Sequence, residues 1–142
     1  VDPSMSATDS IIRQGTIDDH LSVLVCLRGQ RSVEIEPPRF AEHRHIFERS
    51  FDSIMSDSPL ASLTSNGMAV SAATGDDEAL RISNLCIASG AVASGISGSG
   101  PAIAIVCYGD DVESISSTVN ELGLTIIQTR FESNPTPIEE VA

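Results

Sequence analysis

The chain has 142 residues, 41% of them hydrophobic, which suits one compact domain with a single core and does not suit a solvated acidic tail. Twenty acidic residues stand against eight basic ones, for a net charge of -12, and every basic residue is Arg. That balance argues against nucleic acid and acidic membrane as partners, since both need a Lys/Arg patch.

An acidic surface without lysine fits a salt-loving source, with compositional drift as the alternative. Trp is absent and aromatics are few, so the core must be built from Ile, Val, Leu, Ala and the four Phe. Cys26, Cys86 and Cys107 are far apart, odd in number and set among apolar residues. They read as packing residues of a reducing compartment, not as a disulfide frame or a zinc site. With no apolar run long enough for a membrane span and no signal-peptide pattern, a cytoplasmic location is expected. Residues 1–5, VDPSM, read as a cloning remnant, residues 6–133 as one domain, and residues 134–142, with two prolines, as a loose tail.

SATDSIIRQGTIDDHLSVLVCLRG predicts two strands about a turn near Gly15, and the second, Leu21 to Leu27, is apolar enough to be central. SVEIEPP alternates as a further strand stopped by Pro37 and Pro38. Phe40, Phe47, Phe51 and Ile54 then fall on one helical face, with His43, Arg44, Glu48 and Asp52 off it. His43 and His45, two apart, point different ways and have no partner that would complete a metal set.

SDSPLASLTSNGMAVSAATG predicts a second helix with Ser58 as N-cap, Pro59 at its first position, and Gly75 as stop. Gly67 inside it marks a close approach of a neighbouring segment or a ligand, because Gly otherwise costs helix stability. A third helix starts at Asp76, Asp77 and Glu78, whose charges suit a positive helix end, and runs into the small-residue stretch CIASGAVASG. AIAIVCY predicts a buried strand. DDVESISSTVNELG predicts a fourth helix, with Asp110 and Glu113 as a capping box and Gly123 as stop. LTIIQTRF is the last strand. The order predicts an α+β domain: a mostly antiparallel four-stranded sheet with helices packed on one face.

The stretch GISGSGP carries the chemistry. Gly95, Gly98 and Gly100 open backbone angles closed to other residues and leave amides bare, as anion-binding nests require. It lacks the lysine of a Walker A loop, and its order of helix, loop, strand is the reverse of a dinucleotide fingerprint. On that order the loop faces a helix's carbonyl end, so an anion there needs donors from elsewhere. A tight connection that binds nothing accounts for the residues equally well. No serine has the setting of a nucleophile elbow, and the paired aspartates sit at turns and helix starts. The residues alone therefore assign no catalytic group and no metal ligand.

SGISGSGPAIAIV resembles the third motif of the GHMP small-molecule kinases. Taken with ATDS, LSVLVCL, the run from LTSNGMAV through the loop, and IIQTRFESNP, it is similar to the archaeal-type shikimate kinase branch over roughly residues 6 to 137. Ser10 and Ser99 depart from that branch, where Asn and Thr are usual. The resemblance implies a C-terminal half of the ferredoxin-like type. Its partner would be the N-terminal half of the same kinase, holding most of the ATP and the Mg2+. Shikimate would be the acceptor, in aromatic amino-acid synthesis. Ser97, Gly98, Ser99 and Gly100 would border the ATP phosphates, and Asn66 and Gly67 would lie toward the acceptor. Arg81 or Arg130 would meet the acceptor's carboxylate. This half is expected to be inactive alone and, with an interface bared, to self-associate. The alternatives are the corresponding half of homoserine kinase, which shares the loop, and a non-catalytic ferredoxin-like domain that binds a small ligand.

Overall fold

The computed structural model describes residues 15–56 and 59–132. The first expected strand, the Ser58 cap and the tail lie outside them. β1 (Leu21–Leu27) is followed by α1 (Pro37–Glu42), α2 (Arg44–Met55), α3 (Pro59–Thr74) and α4 (Asp77–Ala88). Then come β2 (Ala93–Ile96), β3 (Ile103–Tyr108), a single 3-10 turn (Gly109–Asp111), α5 (Val112–Glu121) and β4 (Thr125–Arg130). The sheet runs β2-β3-β1-β4 with every pairing antiparallel. This is the split β-α-β order, with four helices filling the first crossover. The expected α+β class and four-stranded antiparallel sheet are what the chain adopts.

Alternation sorts the strands onto two faces. Leu24, Cys26, Ile103, Ile105 and Cys107 point toward the helices and are fully buried. α4 meets them with Ala79, Ile82 and Cys86, and α5 with Ile115 and Val119, each set at helical spacing. Aliphatic residues and the three cysteines supply the buried core, and Phe40 and Phe47 pack against it.

Two expected segments differ. SVEIE forms no strand, and Pro37 does not stop an element but begins α1, where its fixed φ and missing N–H cost nothing. The helix expected through CIASGAVASG ends at Ala88. Gly90 turns the chain at φ +114, and Ala93–Ile96 pairs with β3 as an edge strand. Small residues concealed a strand, since they carry neither helical nor strand periodicity.

α3 explains why those residues are small. A Cβ on Gly67 would stand 2.6 Å from the Gly95 Cα, and one on Gly95 would stand 2.6 Å from the Leu63 carbonyl oxygen. The helix thus lies directly on the β2 backbone. Thr64 Oγ1 accepts the Ser94 N–H at 3.1 Å, occupying a donor of the edge strand. Leu60 and Leu63 reach around to Ala93, Val106 and Leu21 on the second sheet face, while Val70 joins the main core. Among the described residues no helix is long and apolar enough to cross a membrane.

Candidate functional site

The glycine loop is a β-hairpin connection, not the sequel of a helix. Ile96 pairs with Ile103, and between them the Ser97 N–H donates to the Ala102 carbonyl at 2.8 Å. The Gly100 N–H closes a turn on the Ser97 carbonyl at 2.9 Å. Gly98 and Gly100 hold φ +58 and +93, the left-handed values that bar most side chains, and the Gly100–Pro101 peptide is cis. A strand therefore stands where the helix carbonyl end was expected, and the electrostatic objection to an anion at the loop falls with it.

Inside the turn, Gly98 and Ser99 spend their N–H groups on nothing among the described residues. Both residues are exposed, and the space beside Gly98 is open. Bare neighbouring amides at an exposed left-handed turn can receive an oxyanion.

Two arginines that the sequence reading did not select hold this turn. Arg28 follows β1 directly, and its side chain is 4% exposed. Its Nε donates to the Pro101 carbonyl oxygen, and its two terminal nitrogens fork onto Asp76 at 3.0 and 2.6 Å. Glu78, mostly exposed, adds a longer contact at 3.4 Å. Asp76 is 5% exposed and also caps α4, accepting the Ala79 N–H at 3.1 Å. Burial by itself would raise the Asp76 carboxyl. The Arg28 guanidinium and the Ala79 N–H outweigh it and hold the pKa below 3.8. One buried cation thus ties the hairpin exit to the N-terminus of α4.

Arg31, exposed, sits on the outer side. Its Nη2 donates to Ser99 Oγ at 2.7 Å and to the Gly100 carbonyl oxygen at 3.2 Å. LRGQR places both arginines just past the central strand. Only the strand order reveals that this end of β1 adjoins the hairpin.

Of the residues named from sequence, Ser97 to Gly100 form one turn, and Gly67 packs against the strand that leads into it. Asn66 lies instead in an open groove of about 420 Å3 between α2 and α3, beside Phe47, Phe51, Ile54 and Ser62. No hydrogen bond joins it to the turn. Arg130 pairs with Ser22, at the far end of β1 from Arg28, about 20 Å of strand away at roughly 3.3 Å per residue. It borders a polar recess with Asp18 and Asp19. Arg81 is exposed on α4 beside Asp77 and Asn84. Among the described residues no cluster of His, Cys, Asp or Glu can hold a metal ion. The three cysteines are free and buried, and burial, reinforced by neighbouring Cys26, pushes the Cys86 thiol up to about 11.

No family model matches the sequence, and no curated protein does. Solved structures do show similarity. A phosphotransferase related to the CoA biosynthesis pathway is similar over 85% of this chain, with a TM-score of 0.66 and 12% identity. A homoserine kinase from Cytophaga hutchinsonii aligns over 80% of the chain, also at 12% identity, with a TM-score of 0.46. The chain covers only 41% and 42% of those two proteins. At such identity the likeness is one of fold.

Proposed function

We propose that the chain is the C-terminal domain of a GHMP-type small-molecule kinase, with shikimate as the acceptor and the 97–102 hairpin bordering the phosphates of ATP. The observation that carries this reading is the pair of unspent amides, Gly98 and Ser99, at a turn fixed from both sides by arginine. The kinship of fold to a phosphotransferase supports it. In the complete enzyme the acceptor hydroxyl oxygen would bond to the terminal phosphorus of ATP, losing its proton, as the bond to ADP breaks. The described residues fit the phosphate part of ATP. They offer no carboxylate cluster that fits Mg2+, which this reading assigns to the N-terminal half. Phosphoryl transfer depends on positioning and charge neutralisation, so one half without the other should lose nearly all rate.

Homoserine kinase is supported equally by the fold and remains the second reading for the acceptor. The test begins with the coding sequence upstream of Ser6, and with the purified chain assayed for ADP release. The chain alone should release none with either acceptor. Joined to an upstream segment carrying a glycine-serine phosphate loop, it should release ADP with shikimate. Release with homoserine instead would exchange the acceptor. A chain that works with no such partner would favour the small-ligand binding domain.

A further inference from the structure

We infer that Arg31 and Ser99 form an oxyanion clamp, which gives this domain its own affinity for a phosphate chain. The inference rests on the hairpin reading above and adds the residues that supply its charge. Three observations converge on one exposed spot. The Gly98 and Ser99 N–H groups point to no partner among the described residues. Ser99 Oγ accepts from Arg31 at 2.7 Å, which orients its lone pair inward and leaves its own proton to donate outward. Arg31 spends only Nη2 on the turn, so Nε and Nη1, on opposite edges of the guanidinium, stay available as separate donors.

Charge decides which arginine serves. Arg28 is neutralised by a buried fork to Asp76, with Glu78 close by, and its Nε is committed to Pro101. It holds the turn in place and has no charge left for a ligand. Arg31 makes no ion pair among the described residues and lies in solvent at the rim. In a chain of net charge -12, an unneutralised guanidinium bonded to the turn that carries the bare amides gives a polyanion a local attraction. Each remaining donor can meet one oxygen of a phosphate chain while Nη2 keeps its hold on the turn, which a lysine, a point charge without fixed donor directions, would not do.

The probe is sodium tripolyphosphate, titrated at constant ionic strength and neutral pH into the 15N-labelled 142-residue chain. Amide shifts are followed residue by residue. The Gly98 and Ser99 amides should move and saturate. Arg31→Gln should weaken binding roughly tenfold or more, as loss of a charge-assisted contact does, with the remaining spectrum and the melting temperature unchanged. Arg31→Lys should recover part of the affinity. Ser99→Ala should cost roughly twofold to tenfold, as one neutral hydrogen bond does. Arg44→Gln, on α2 and paired with Glu48, should change nothing. Full affinity in Arg31→Gln would overturn the clamp while leaving the hairpin reading intact. Loss of affinity only alongside a lowered melting temperature would make Arg31 a structural staple and overturn it too. A wild-type chain whose Gly98 and Ser99 amides never shift would overturn the clamp, since it has no affinity of its own, while the ADP assay on the joined halves still decides the hairpin reading.

Discussion

Arg28 and Asp76 show how much depends on two side chains. Both are withdrawn from water, and each satisfies the other while also holding a backbone group, Pro101 O and Ala79 N respectively. Removing one partner leaves a buried charge without compensation, which costs about 3–5 kcal/mol. Arg28→Met and Asp76→Ser should each lower the urea midpoint accordingly. The double variant, with serine able to retain the cap, should recover most of the loss, so that the double-mutant cycle reports strong coupling. The Asp76 pKa is held below its unfolded value of 3.8, so its contribution is complete above 3.8 and disappears as pH falls through the lowered native value. The stability gap between wild type and Asp76→Ser should therefore be flat near neutrality and narrow only in acid. Urea titrations over that range measure it.

At the scale of elements, α3 lies directly on the β2 backbone. Gly67 costs helix propensity, about 1 kcal/mol relative to Ala, yet the 2.6 Å approach to Gly95 admits no methyl group. Because the obstacle is backbone, Gly67→Ala should destabilise by about 1–3 kcal/mol despite the propensity gain, read as a melting temperature several degrees lower. A rise would show that the helix can slide away. Serines bind the same helix to α2: Ser62 Oγ donates to the Ser50 carbonyl at 2.9 Å, and the Ser50 and Ser65 hydroxyls meet at 2.8 Å. Long elements with strong stripes, such as α5 with Ile115 and Val119, were legible from spacing. β2 was not, because ASGI has no alternation to read and owes its strand form to β3 on one side and Thr64 on the other.

For the molecule as a whole, the sheet has one covered face and one only partly covered. On the second face Leu27 and Ile127 are 40% and 51% exposed, and Tyr108 44%. Val23, Val25 and Ala104 lie between them in register and are half-buried. Apolar surface of this kind favours association even against a net charge of -12, and more so as salt screens that charge. Sedimentation velocity should show association that grows with protein concentration and with salt. Ile127→Glu should reduce it. A monomer at every concentration and salt would remove this expectation, and with it a support for a second half packed on that face.

The sequence by itself determined the class of fold, because hydrophobic periods, proline and glycine stops, and the apolar run 21–27 act over a few residues at a time. It also marked the Ser97–Gly100 turn, whose glycines are demanded by local backbone angles. The tertiary structure decided what that turn is attached to. Placing Arg28 and Arg31 beside it requires β1 to lie next to β3, a pairing between residues about eighty positions apart that no local period encodes. The β1–β4 pairing sets Arg130 against Ser22, at the opposite end of β1. The charge at the site was present in the sequence from the start, and only the strand order shows which arginines carry it.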